Sequence, residues 1–205
     1  MKKLLFSIPF LLFLASPVKA ELNVKAGVIP DALVEGYQNP IDQDIAIATY
    51  ELLSDAPKGL NRLEQTLNIA DPSRRIQIES LLFLNYIHHA SPTEAEQSIE
   101  WLNRAAQLKP DDPRPYRQLR EVYCITQKLK QCKTAHREAV KRSDDETAEL
   151  TRLASILQST GRLRDASAVV KAAIEAESEK SQPSSRQLKR LRGWYRRLVK
   201  SQSGV

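Results

Sequence analysis

Residues 150–178 read LTRLASILQSTGRLRDASAVVKAAIEAES, and the spacing of their apolar side chains decides the fold. Leu150, Leu153, Ala154 and Leu157 recur at intervals of three and four, which places them on one face of a helix. Gly161 interrupts the pattern, and Ala166, Val170 and Ala173 resume it on a second helix. Shifted by 34 residues toward the N-terminus, Leu150, Leu153 and Leu157 fall on Tyr116, Leu119 and Tyr123, while Ala166, Val170 and Ala173 fall on Cys132, His136 and Ala139. A second shift puts Leu82, Ser98, Leu102, Ala105 and Pro110 in register with Tyr116, Cys132, His136, Ala139 and Asp144. Self-similarity at a fixed period is the mark of a repeat architecture. Each unit reads as a helical hairpin whose small residues at Ala105, Ala139 and Ala173 let two helices approach closely. One hairpin cannot bury its own apolar face, so neighbours must stack.

Composition agrees with an all-α chain. Glycines number six, β-branched runs are scarce, and Ala, Leu, Gln, Glu, Lys and Arg dominate from residue 41 to 200. Pro40, Pro57, Pro72, Pro92, Pro110, Pro113, Pro115 and Pro183 fall between apolar-periodic segments, where they start or end helices without breaking one. The first 20 residues pair Lys2 and Lys3 with an apolar run and small residues at Val18 and Ala20, the pattern of a secretory signal peptide cleaved after Ala20. The run from Leu4 to Ala15 is shorter than the roughly 20 helical residues that span a bilayer. The expected compartment is therefore the bacterial periplasm.

The charge is unevenly distributed. Of 31 basic residues, Lys2, Lys3 and Lys19 leave with the signal peptide, and seven more crowd into residues 186–200, where there is no acid. The rest of the mature chain is mildly acidic, so the basic pI belongs to one tail, and a nucleic-acid partner is not expected. Within that tail Leu188, Leu191, Trp194, Tyr195 and Leu198 share a helical face, with Arg186, Lys189, Arg190, Arg192, Arg196, Arg197 and Lys200 around the remainder. Two readings follow from this pattern: a terminal helix that closes a helical stack, and an interfacial helix for anionic lipid, lipopolysaccharide or polysaccharide. Gly193 lies inside it and allows a break.

The repeat resembles the tetratricopeptide repeat (TPR) family. Leu150, Leu153, Ala154 and Leu157 match its first-helix slots, and Gly161, Ala166 and Ala173 match its glycine and two alanines outright. The preceding unit matches at Tyr116, Leu119, Tyr123 and Ala139, with Arg120 where the family prefers a small residue and Cys132 in an alanine slot. The resemblance covers residues 75–180, about three units, the first from about residue 79. Residues 41–72 read as a degenerate helical pair or N-terminal cap, with Ile45, Ala48, Leu52 and Leu53 on one face and Leu60, Leu63 and Leu67 on the next. Residues 21–40 read as an extended lead-in and 184–201 as the basic C-terminal capping helix.

The resemblance implies a superhelix whose first helices line a concave groove for a protein partner. Carried over position by position, that groove is lined by Arg114, Arg117, Glu121, Arg152 and Ser155. Family members that clamp a C-terminal carboxylate use lysine and asparagines there, whereas Arg117 and Glu121 stand in those slots here, which argues against that ligand. Phe83 and Ile87 would face the same side, either packed or offered as an apolar anchor.

Enzyme chemistry finds no support. His88 and His89 are adjacent on a helix and point about 100° apart, so both cannot face one metal. His136 falls in a large apolar slot of the repeat and reads as packed, and no phosphate loop, metalloprotease helix or nucleophile elbow occurs. No catalytic residue, cofactor or metal is expected. Cys124 and Cys132 admit a disulfide, two buried thiols in alanine-like slots, or redox or metal chemistry. Export favours the disulfide, and the repeat puts the pair on either side of a tight turn between antiparallel helices. Gln127, between them, stands where the next unit has Gly161. The expectation is a non-catalytic adaptor for an envelope protein, in assembly or export of a surface structure, with no oligomeric state assigned.

Overall fold

The computed structural model describes residues 37–202; the segment expected to be a signal peptide and nearly all of the expected lead-in lie outside them. The chain divides into two compact units, with the boundary between Thr66 and Leu67. Every regular element among the described residues is helical.

In the first unit, α1 spans Pro40–Ser54 and α2 starts at Ala56, running to Ile69. Asn39 caps α1 by accepting a hydrogen bond from Ile41 N (2.8 Å), and Pro40 supplies a preset φ at the first turn. The two helices touch at Gly59: a Cβ there would lie 2.6 Å from Leu52 N and 2.8 Å from Ala48 O, so only glycine fits. Glu51 is buried beside this crossing and is held by Arg62 (2.8 Å) and Lys58 (3.0 Å). Ile45, Ala48 and Leu52 are buried as their spacing requires, but Leu53 is 62% exposed. It follows Leu52 directly, about 100° further round the helix, and so leaves the buried stripe.

The second unit contains α3 (Pro72–His89), a short 3-10 turn (Pro92–Glu94), α4 (Ala95–Leu108), α5 (Pro113–Ile125), α6 (Leu129–Lys141), α7 (Glu146–Ser159), α8 (Leu163–Ser178) and α9 (Ser185–Gln202). The second helices of the hairpins begin at Ala95, Leu129 and Leu163, each 34 residues after the last. The first helices are less regular. α3 starts at Pro72, about two turns ahead of residue 79, because Asp71 accepts from Ser73 N and Arg74 N and Pro72 takes the first helical position. Asp112 and Asp145 cap α5 and α7 in the same way.

Small residues sit where the helices cross. Ala105, Ala139 and Ala173 are fully buried, as are Ser98 and Ala166, with Cys132 nearly so. One buried cluster joins Leu102, Leu119, Val122 and Ala135, and a larger one joins Leu153, Leu157, Val170 and Ala173 to Leu191 and Leu198 of α9. α9 is continuous through Gly193, so the break that this glycine allows does not occur.

The turns of the second and third hairpins match bond for bond. Lys128 N donates to Tyr123 O and Arg162 N to Leu157 O, both at 2.8 Å; Gln127 N donates to Cys124 O (3.2 Å) and Gly161 N to Gln158 O (3.0 Å). Gln127 and Gly161 both adopt left-handed backbone, with φ 59° and 76°. Across the first of these turns Cys124 and Cys132 form a disulfide with a Cα separation of 5.1 Å. Closing that short loop restricts the unfolded chain by roughly 2.5 kcal/mol in the chain-entropy view.

The matched turns generate a paired prediction. Gly161→Ala is expected to lower the unfolding free energy by about 1 kcal/mol through backbone strain alone, since an added Cβ meets nothing within 4 Å. Gln127→Gly should raise it by up to about 1 kcal/mol. Urea midpoints that moved in the same direction for both variants would contradict this account.

Candidate interaction surface

The first helices α5 and α7 are joined through one carboxylate. Glu149, with no exposed side-chain surface, accepts Arg117 Nε at 2.6 Å and Arg152 Nη1 at 2.7 Å on Oε1, and Arg120 Nη1 at 2.9 Å on Oε2. Arg120 is itself only 2% exposed, and its Nη1 also approaches His136 Nδ1 at 3.3 Å. Its Nε has no hydrogen-bond partner among the described residues. Burial works against the ionised form of Glu149, but the hydrogen bonds and charges of Arg120 and Arg117 outweigh it and hold the carboxyl below its ordinary value. Burial lowers the Arg120 pKa, with Glu149 opposing the shift. Burial, with the Arg120 charge added, pushes the His136 imidazole down to about 4. The neutral ring then accepts at Nδ1 from the guanidinium.

The expected groove residues divide into two groups. Arg117 and Arg152 are tied to Glu149, yet Arg152 keeps half its side chain in solvent and Arg117 about a quarter. Arg114 is held by Asp112, its Nη2 2.7 Å from Oδ2, and its guanidinium lies 4.8 Å from the centre of the Phe83 ring. Glu121 and Ser155 are exposed on the same two helices. Phe83 is fully buried, with Lys109 Nζ also 4.7 Å from its ring centre, so packing excludes the apolar-anchor reading. Ile87 packs against the Leu102 cluster.

Sequence reading missed the buried pair, although the register carried a signal. Arg120 occupies the slot that Ala154 fills one repeat later, and Glu149 the slot that Pro115 fills one repeat earlier; both neighbours are buried. A charge in each of two buried slots needs a counter-charge, and the two slots face each other across α5 and α7.

On α9, Leu191 and Leu198 are buried, while Leu188, Trp194 and Tyr195 are half-buried. Trp194 Nε1 donates to Gln158 Oε1 of α7 (2.7 Å), and Gln202 Nε2 donates to Leu163 O and Ser167 Oγ of α8 (both 2.9 Å). Arg186, Lys189, Arg190, Arg192, Arg196 and Arg197 are exposed and have no carboxylate partner among the described residues. No group of His, Cys, Asp and Glu able to hold a metal occurs among the described residues, and His88 and His89 stack edge-on at 4.9 Å.

Stacked hairpins with 34-residue spacing and buried small residues at every crossing define the architecture. This is a TPR-like helical repeat. No family model matches the chain, and no curated protein matches it. Among solved structures it is similar to MamA from AMB-1 (17% identity over 69% of this chain and 75% of that one, TM-score 0.45) and to MamA from MSR-1 (17%, 71% and 83%, TM-score 0.47). It is also similar to TTC0263, a thermophilic TPR protein of Thermus thermophilus (20%, 82% and 86%, TM-score 0.41). These likenesses concern the fold alone.

Two predictions follow from the buried pair. Glu149→Gln is expected to cost about 3 kcal/mol or more, because Arg120 is left buried without a counter-charge; Arg120→Met should cost less, since Arg117 and Arg152 still neutralise Glu149. Denaturation of both variants checks the order.

The second prediction concerns pH. Because folding lowers the His136 pKa from 6.5 to about 4, the unfolded chain binds a proton that the folded one does not as pH falls through that interval. Stability is therefore full above pH 6.5 and declines toward pH 4. His136→Leu should remove that part of the decline, read as the wild-type minus variant difference across the window.

Proposed function

We propose that the protein is a non-catalytic interaction adaptor of the cell envelope, exported by its N-terminal leader, which holds a protein partner on the first helices of its repeats. The reading is supported by one observation above the others: three guanidiniums share a single carboxylate, leaving a positive excess on α5 and α7 beside exposed Glu121 and Ser155. Arg117 and Arg152 already have defined positions through Glu149, so little side-chain freedom is lost when an acidic segment of the partner meets them. Assembly or export of a surface structure is the expected setting. A photo-crosslinking residue placed at Glu121 or Ser155 in the full chain should capture one envelope protein that the same residue at Lys171 on α8 does not. Arg152→Glu should reduce that capture several-fold. Equal capture at all three positions would defeat the assignment.

A second reading is favoured by the exposed cations of α9, which fit an anionic surface such as lipid, lipopolysaccharide or polysaccharide. Deleting α9 does not separate the two, because Leu191 and Leu198 belong to the core of the last hairpin. Charge substitutions on the exposed side of the helix do.

A further inference from the structure

Gly193 lies in the interior of α9, where glycine is disfavoured relative to alanine. Packing does not require it: the only atom near an added Cβ is Arg197 Nη1 at 3.7 Å, an ordinary contact. Its neighbours one turn away, at i−4, i−3, i+3 and i+4, are Lys189, Arg190, Arg196 and Arg197. All four are exposed. On a helix these positions surround the central residue at Cβ distances of about 5–6 Å. The one missing side chain on this face is thus at the centre of four cations.

The face also carries unrelieved repulsion. Arg186 and Arg190, and Arg192 and Arg196, are like charges four residues apart, and Arg186 lies in the first turn, against the helix dipole. A shallow recess of about 340 Å³ runs along Ser185, Leu188, Lys189, Arg192 and Arg196. The apolar stripe of the helix is committed inward through Leu191 and Leu198, and Trp194 is bonded to Gln158. The apolar surface that α9 leaves outside, at Val199 and the half-buried Leu188 and Tyr195, is interrupted by Arg192 and Arg196 and is too small to seat the helix in a bilayer.

We propose that Gly193 is the floor of an anion notch, in which a phosphate of an anionic lipid headgroup rests against bare helix backbone between Lys189, Arg190, Arg196 and Arg197. The inference rests on the second functional reading and gives it an atomic site. Guanidiniums bind phosphate oxygens bidentately, while the mid-helix N–H groups are already used within α9. The cations stand on a convex ridge about 17 Å long between residues 186 and 197, a shape that meets a planar array of headgroups. Contact is superficial, with α9 lying on the headgroups and its apolar stripe kept on the protein core.

The test uses the full chain and phosphatidylcholine vesicles with and without phosphatidylglycerol. Wild type should co-sediment only with the anionic vesicles, losing affinity as salt rises. Gly193→Ala should bind at least five-fold more weakly while its urea midpoint increases, a combination that general destabilisation cannot produce. Brominated acyl chains should leave Trp194 fluorescence unquenched. If wild type does not bind the vesicles, the surface reading fails and the notch with it. If wild type and Gly193→Ala bind equally, the notch alone is overturned. Tighter binding to dextran sulfate than to vesicles overturns the lipid occupant, and quenching by brominated chains overturns the superficial geometry.

Discussion

A single buried carboxylate joins consecutive repeats in the second unit. Glu149 enters from the first turn of α7 and accepts from two arginines of α5 and one of its own helix, so the side-by-side placement of the two first helices depends on a charge that has no access to water. Burying charge costs several kcal/mol per ion unless geometry and hydrogen bonds are good. Here three donors meet both oxygens. The excess positive charge that results is directed outward, which turns an internal constraint into a surface property. His136, held neutral against Arg120, completes the enclosure and ties α6 to the same network.

The three hairpins of this unit are closed at their turns by different chemistry on the same geometric frame. In the first, Ser98 Oγ bonds both N and O of Ser91 at 2.8 Å. In the second, the position equivalent to Ser98 is Cys132, and a disulfide takes over. In the third, Ala166 occupies that slot and Gly161 provides the left-handed turn without a side chain. The disulfide spans the turn in which Gln127 must adopt a conformation that L-residues resist, so the covalent link and the strained residue occur in one repeat.

α9 separates its two faces, with the leucines packed on the last hairpin and the cations in solvent. Its Leu191 and Leu198 complete the apolar cluster of the last hairpin, and the linker before it is held by Glu177, which accepts Ser184 N at 2.9 Å and pairs with Lys180. The cationic side is left outside with no acid on its own helix. With Leu191 and Leu198 packed inward, the side of α9 that faces solvent is dominated by cations.

Periodicity by itself determined the all-helical architecture, the 34-residue repeat of helical hairpins and the register that sets Gln127 opposite Gly161, because apolar spacing and turn stereochemistry are local properties of the chain. It also placed Cys124 and Cys132 on either side of one turn. The tertiary structure decided where the charges go. Arg117, Arg120, Arg152 and Glu149 look like four ordinary helix charges until stacking puts α5 against α7 and removes one carboxylate from water. Phe83 had the pattern of a groove residue and became core once Lys109 and Arg114 covered it. Leu53 had a core residue's chemistry and stayed in solvent. Burial depends on which neighbour arrives, and long-range packing supplies that neighbour, which no local spacing encodes.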